Sequence, residues 1–128
     1  MRIHPRPIID NALLGTGFPL RSRDFHDAYL GMFGDVFRRA GDLRRASAAA
    51  LDLAYVACGR LDGFWEIGLQ PWDMGAGALM IREAGGIVGD FAGGDQYLET
   101  GNIIAGSPKL FADLVRTIGP HRIEGIRA

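Results

Sequence analysis

Two carboxylates carry the most chemical promise. In the stretch GFWEIGLQPWDMGAGALMIREAGG, Gly63 to Gly86, Asp73 follows Trp72 and precedes a run of small residues. Glu66 stands seven positions earlier. A helix opened by Pro71 puts Asp73 in its first turn, where free N–H groups and the helix dipole favour a charged carboxylate. A capping aspartate fits that place, and so does a metal ligand. Glu66 follows two aromatics on a strand and shares a face with Phe64. It reads either as a surface glutamate or as an acceptor for a sugar hydroxyl opposite Asp73. Arg44 and Arg45 form a basic pair, either solvated or able to reach a phosphate or carboxylate. Gly75 and Gly77 each cost a helix interior about 0.8–1 kcal/mol relative to Ala, so a close approach by backbone or a bound oxyanion should compensate.

The elements that must position these groups alternate between strand and helix. Ala12–Gly17 reads as a buried strand. Asp24–Arg39 has apolar residues at helical spacing on one face. DLRRA, from Asp42, suits a short strand. Ser47–Gly59 reads as an alanine-rich helix buried on most sides, with Ser47 as N-cap and Gly59 as C-cap. LDGFWEI is a strand, Pro71 to about Glu83 a helix closed by Gly85 and Gly86, and GIVGDF a strand followed by a turn at GGDQY. NIIAGS is a strand, and Pro108 opens a last helix, PKLFADLVRTI. This order predicts an α/β layer with a mixed or parallel sheet and flanking helices. The expected division is a lead over 1–11, extended or partly loose, one α/β domain over 12–119, and a tail over 120–128.

A chain of 128 residues suits one domain, and its net charge of −1 gives no basic excess for nucleic acid. No apolar run reaches bilayer length, and no signal-peptide core is present, so a reducing cytoplasmic setting is expected. The single Cys58, at what reads as the end of a buried helix, is expected to be a structural thiol. His4, His26 and His121 lack metal-ligand spacing. No Ser or Cys has a neighbouring His, so nucleophile–base chemistry of the triad type is not supported.

The segment PWDMGAGALMIREAGG resembles the C-terminal signature of the inositol monophosphatase family, W-D-x-A-x-G followed by E-A-G-G. Within that family it resembles the bacterial SuhB-like branch in particular. The resemblance begins near ALLGTGFP, passes through RRASAAALDLAYVACGRLDGFWEIGLQPWD, and continues through TGNIIAGSP into the last helix. By this resemblance the fold is the C-terminal α/β half of the family fold. Asp73 matches a ligand to catalytic Mg²⁺, and Glu66 matches the glutamate that accepts hydrogen bonds from the inositol ring. Ala49 falls where a family alanine meets the ring through its backbone, and Arg44 lies near the substrate pocket. The resemblance also implies a site sensitive to lithium, and an apolar face left bare by a missing half would favour a homo-oligomer, expected as a dimer.

The sequence departs from the family in two ways. Ser47-Ala48 stands where the family has Gly-Ser or Gly-Thr, which moves the hydroxyl one position early. The Gly-Glu-Glu and D-P-x-D-G-T motifs, which supply most of the family's metal ligands, do not occur in the sequence. Mg²⁺ wants near-octahedral oxygen coordination, and a two-metal ester hydrolysis clamps both attacking and leaving oxygens. One aspartate does not do this. The expectation is therefore part of a Mg²⁺-dependent phosphomonoesterase for inositol phosphates or related polyol phosphates, inactive without the missing N-terminal half. The alternatives are a non-catalytic interaction or oligomerisation module on the same fold, and a related nucleotide or sugar phosphate phosphatase.

Overall fold

The computed structural model describes residues 2–19, 23–46, 48–123 and Ile126. Five strands form one mixed sheet in the order β2-β1-β3-β5-β4. Strand β1 (Leu13–Thr16) runs parallel to both β2 (Asp42–Arg44) and β3 (Gly63–Glu66). Strand β5 (Ile103–Gly106) runs antiparallel to β3 and to β4 (Ile87–Gly89). The alternation of strand and helix anticipated an α/β sheet, and the sheet is the mixed form.

Helices cover both faces. On one face α1 (His26–Phe37) and α5 (Pro108–Ile118) pack Tyr29, Met32, Leu110 and Leu114 against Leu14, Trp65 and Ile104. On the other, α2 (Ala49–Ala57) and α3 (Pro71–Glu83) pack Leu53, Val56, Met74 and Ile81 against Phe64, Ile103 and Ala105. The period of two along β3 sends Phe64 and Trp65 to opposite faces. Glu66 therefore emerges at the end of β3 on the α2–α3 side.

Prolines set the helix starts. Pro71 and Pro108 occupy the first turns of α3 and α5, where a missing N–H costs nothing. The Ser107 hydroxyl accepts the Leu110 N–H and caps α5. Helix α2 starts at Ala49 with Ala48 in the capping position; the proposed cap Ser47 lies outside the described residues.

The lead is held against the domain: Ile3 N–H bonds the Ala84 carbonyl, His4 and Arg6 meet the Asp62 carboxylate, and Ile9 is fully buried. Two expectations change. Helix α2 is not buried on most sides, because Ala50 and Leu51 face outward, and Cys58 just beyond it is exposed. A short helix α4 (Tyr97–Thr100) follows the GGDQ turn and ends at Gly101, whose φ of 78° lies in the left-handed region. Among the described residues no helix is long and apolar enough to cross a membrane.

Candidate functional site

Glu66 ends β3 beside Gly17, just past the end of β1. A Cβ on Gly17 would fall 2.1 Å from Glu66 Oε1, so the carboxylate occupies the space that a side chain there would need. Burial pushes the Glu66 carboxyl up to about 7, with repulsion from Asp52 and Asp73 adding to the rise and Arg45 opposing it. These influences come from α2, from α3 and from the segment after β2. Three elements thus converge on the strand end, as an acidic group needs if it is to meet a ligand rather than bulk water.

Asp73 is half-buried in the first turn of α3, and its Oδ2 accepts the Gln70 N–H at 3.2 Å. The capping reading is therefore correct for one oxygen. The other oxygen makes no hydrogen bond among the described residues, so capping and ligand binding are compatible in one side chain. Ala49 opens α2 and is half-buried.

The two arginines separate. Arg44 ends β2 at the sheet edge, exposed, with its nearest carboxylate partner Asp42 at 3.9 Å. Arg45, one residue on, lies with its guanidinium 4.8 Å from the Phe18 ring centroid and is the cation felt by Glu66 and Tyr29. Both border a recess of about 340 Å³ with Thr16, Phe18, Phe33 and Leu43. Behind it the Tyr29 hydroxyl pairs with Thr16 Oγ1 at 2.8 Å, and burial pushes the phenol up to about 12. The structure thus brings Glu66 under the influence of Asp73 and Arg45, and leaves Arg44 on the rim.

Asp52 is the residue that inspection of the sequence passed over. It lies on α2, buried, and desolvation pushes its carboxyl up to about 6. A charged residue inside an alanine-rich helix is the signal that could have found it, since an ionised group is rarely buried without purpose. As for metals, among the described residues no group of three or more His, Cys, Asp or Glu side chains is arranged to hold an ion. Asp73, with one oxygen uncommitted and partial solvent access, fits the role of a single ligand in a shared site.

Fold and site together define an α/β/α sandwich with acidic groups gathered where a strand end meets two helix N-termini. The model of the inositol monophosphatase family matches residues 1–121, and the chain belongs to that family. It is 53% identical over 123 residues to the Nus factor SuhB of Pseudomonas aeruginosa, covering 94% of this chain and 45% of that protein. It is 54% identical over 102 residues to the Nus factor SuhB of Escherichia coli K12, covering 80% of this chain and 38% of that protein. Among solved structures, the extragenic suppressor protein SuhB of Bartonella henselae superimposes with a TM-score of 0.86 at 44% identity, over 91% of this chain and 45% of that one. The inositol monophosphatase of Anabaena (Nostoc) sp. PCC 7120 gives a TM-score of 0.86 at 36% identity, over 92% and 48% of the two chains. The chain thus spans less than half the length of these relatives.

Proposed function

We propose that this chain, with residues 12–119 as its α/β domain, is the C-terminal part of a cytoplasmic, Mg²⁺-dependent phosphomonoesterase acting on inositol phosphate or a related polyol phosphate. The observation that carries the reading is the convergence on Glu66: a half-buried carboxylate at a strand end, influenced by Asp52 and Asp73 from the two neighbouring helices. Asp73 would hold the metal through its uncommitted oxygen, together with ligands from the remainder of the protein. When bound, Mg²⁺ supplies charge neutralisation at the phosphoryl group. Glu66 accepts a hydrogen bond from a hydroxyl of the polyol and so orients the ester. The start of α2 at Ala49 offers backbone to the same ring, while Arg44 and Arg45 place positive charge at the rim.

The test is hydrolysis of inositol 1-phosphate by this chain alone and after adding the portion that its P. aeruginosa relative carries outside the match. The combination should turn over substrate with Mg²⁺, and Asp73→Asn should abolish this. Robust turnover by the chain alone would refute the shared-site account. Full turnover by the Asp73→Asn variant would refute the metal assignment, and none by the combination would refute the phosphatase reading.

A second reading is an interaction protein. Relatives named Nus factor SuhB lend it support, and so does the outer side of α2 and α3, where Leu51, Trp72 and Leu79 are 45%, 79% and 59% exposed. Light scattering combined with a Mg²⁺ titration separates the two. A tight oligomer, such as a dimer, without metal binding favours the interaction reading.

A further inference from the structure

On the α1 side of the sheet an aromatic cluster is partly open to solvent. Phe18, Leu30 and Phe37 are 41%, 63% and 64% exposed. The rings are in contact with one another. Phe18 meets Tyr29 and Phe33 edge-on at centroid separations of 5.8 and 6.4 Å, and Phe33 stacks on Phe37 at 5.7 Å. Scattered exposed apolar residues need no account, but a contiguous set around a recess points to a partner.

Two recesses share Phe18 and Phe33 as walls. The first, about 230 Å³, is completed by Pro19, His26, Tyr29 and Leu30. Its polar groups are already engaged, His26 Nε2 with the Pro19 carbonyl and the Tyr29 hydroxyl with Thr16. Small-molecule sites run to roughly 300–1,000 Å³, so this volume suits one large apolar side chain rather than a whole ligand. The second recess carries Arg44 and Arg45 against one acid, Asp42. Arg44 is exposed and stands 3.9 Å from Asp42. Arg45 lies over the Phe18 ring, and among the described residues no ion pair engages it. Net positive charge therefore borders an apolar recess, with Phe18 as the common wall.

We propose that this face docks an acidic peptide segment of another protein, with one apolar side chain seated in the Phe18–Leu30 recess and a neighbouring carboxylate on Arg44 and Arg45. Charge complementarity selects the occupant: guanidinium groups take carboxylates in a paired geometry, and the aromatic walls take the anchor. The proposal goes beyond the phosphatase reading. It shares Arg44 and Arg45 with that reading, but its recess lies on the α1 side, whereas Glu66 emerges on the α2–α3 side.

The test is fluorescence anisotropy of a fluorescein-labelled peptide in which glutamates flank a central Phe-Leu pair, titrated with this chain. Saturable binding is expected, and added salt should weaken it. Leu30→Glu, at an exposed position, and Arg45→Gln should each weaken it about tenfold or more. Lysines in place of the glutamates, or alanines in place of the Phe-Leu pair, should do the same. No saturable binding, equal binding of either control peptide, or wild-type affinity in either variant would overturn the proposal. So would self-association of the chain that Leu30→Glu breaks, because a second copy would then be the occupant. Loss of peptide binding after adding the portion that the P. aeruginosa relative carries outside the match would overturn it too, because that portion would then cover the face. The measurement involves no phosphate ester. Failure of the phosphatase reading therefore shows separately, as absent hydrolysis in the combined protein.

Discussion

Two of the four buried aspartates, one on a helix at each face of the sheet, differ in how their carboxylates are partnered. Asp113, on α5, accepts the Ile9 N–H at 2.9 Å and the Arg39 guanidinium at 2.7 Å. Burial alone would raise its pKa, but Arg39 and the Ile9 N–H outweigh that and hold the carboxyl below the usual aspartate range. Asp52, on α2, has burial and no donor, and its carboxyl rises to about 6. The same residue type thus secures the lead and α1 to α5 on one face, and on the other sits largely buried with no side-chain partner among the described residues. Structural aspartates are recognised by their paired oxygens. A functional candidate is recognised by the pairing it lacks.

The largest effect should follow from breaking the satisfied side. Asp113→Ala leaves the Ile9 N–H without its acceptor and the Arg39 guanidinium with Asp10 as its remaining carboxylate. Arg39 is partly exposed, which screens the ion pair, so the expected loss is about 2–3 kcal/mol. Urea denaturation measures it. A loss below about 0.5 kcal/mol would mean that this network is ornamental.

The second prediction concerns pH and sharpens the contrast. An acid whose folded pKa is raised binds more protons folded than unfolded, so stability falls as pH rises between the two values. For Asp52 that window runs from 3.8 to about 6, and for Glu66 from 4.5 to about 7. Asp113 has the opposite sign: its contribution is present above 3.8 and is lost as pH falls through its lowered folded value. Thermal unfolding should therefore show a decline of about 1–3 kcal/mol from pH 4 to pH 7. Asp52→Asn should remove the acidic part of that slope and stabilise the protein above pH 6. A flat profile in the wild type would show that these carboxylates are better solvated than their burial suggests.

Most of the fold was legible because proline and the period of two leave direct marks. Pro71 and Pro108 fix α3 and α5, and Phe64 and Trp65 show β3 dividing its side chains between two cores. The site was legible in part. Asp73 and Glu66 stand out as acids at element ends. Asp52 did not, because a helix of small residues shows little contrast between its faces, so one acid within it carries no visible orientation. Arg44 and Arg45 were indistinguishable for a related reason. Their difference depends on where β2 stops, and element ends are the least readable feature of a sequence. Helix α4 has four residues, too short for a period to appear.

The glycines of α3 extend the comparison to the inner and outer sides of one helix layer. A Cβ on Gly77 would fall 2.5 Å from Leu53 Cβ, so this glycine allows α2 and α3 their close approach. Gly77→Ala should force the helices apart and cost about 1–2 kcal/mol net, the overpacking exceeding the gain in helix propensity. A neutral result in urea denaturation would mean that α2 shifts freely.

Gly75 sits two residues earlier, and a Cβ there would meet nothing within 4 Å. Among the described residues no contact compensates for its cost to the helix. Gly75→Ala should therefore stabilise the chain by about 0.8–1 kcal/mol. Its value as a test lies in the second measurement, on the combined protein. The relatives are more than twice as long as their matched portions, and the exposed Leu51 and Leu79 belong to the same helix pair. If the remaining half packs closely on this side, the added methyl that helps the chain alone should weaken the combination. A gain that persists unchanged on combination would place the contact elsewhere and leave the Gly75 backbone free to approach a ligand instead.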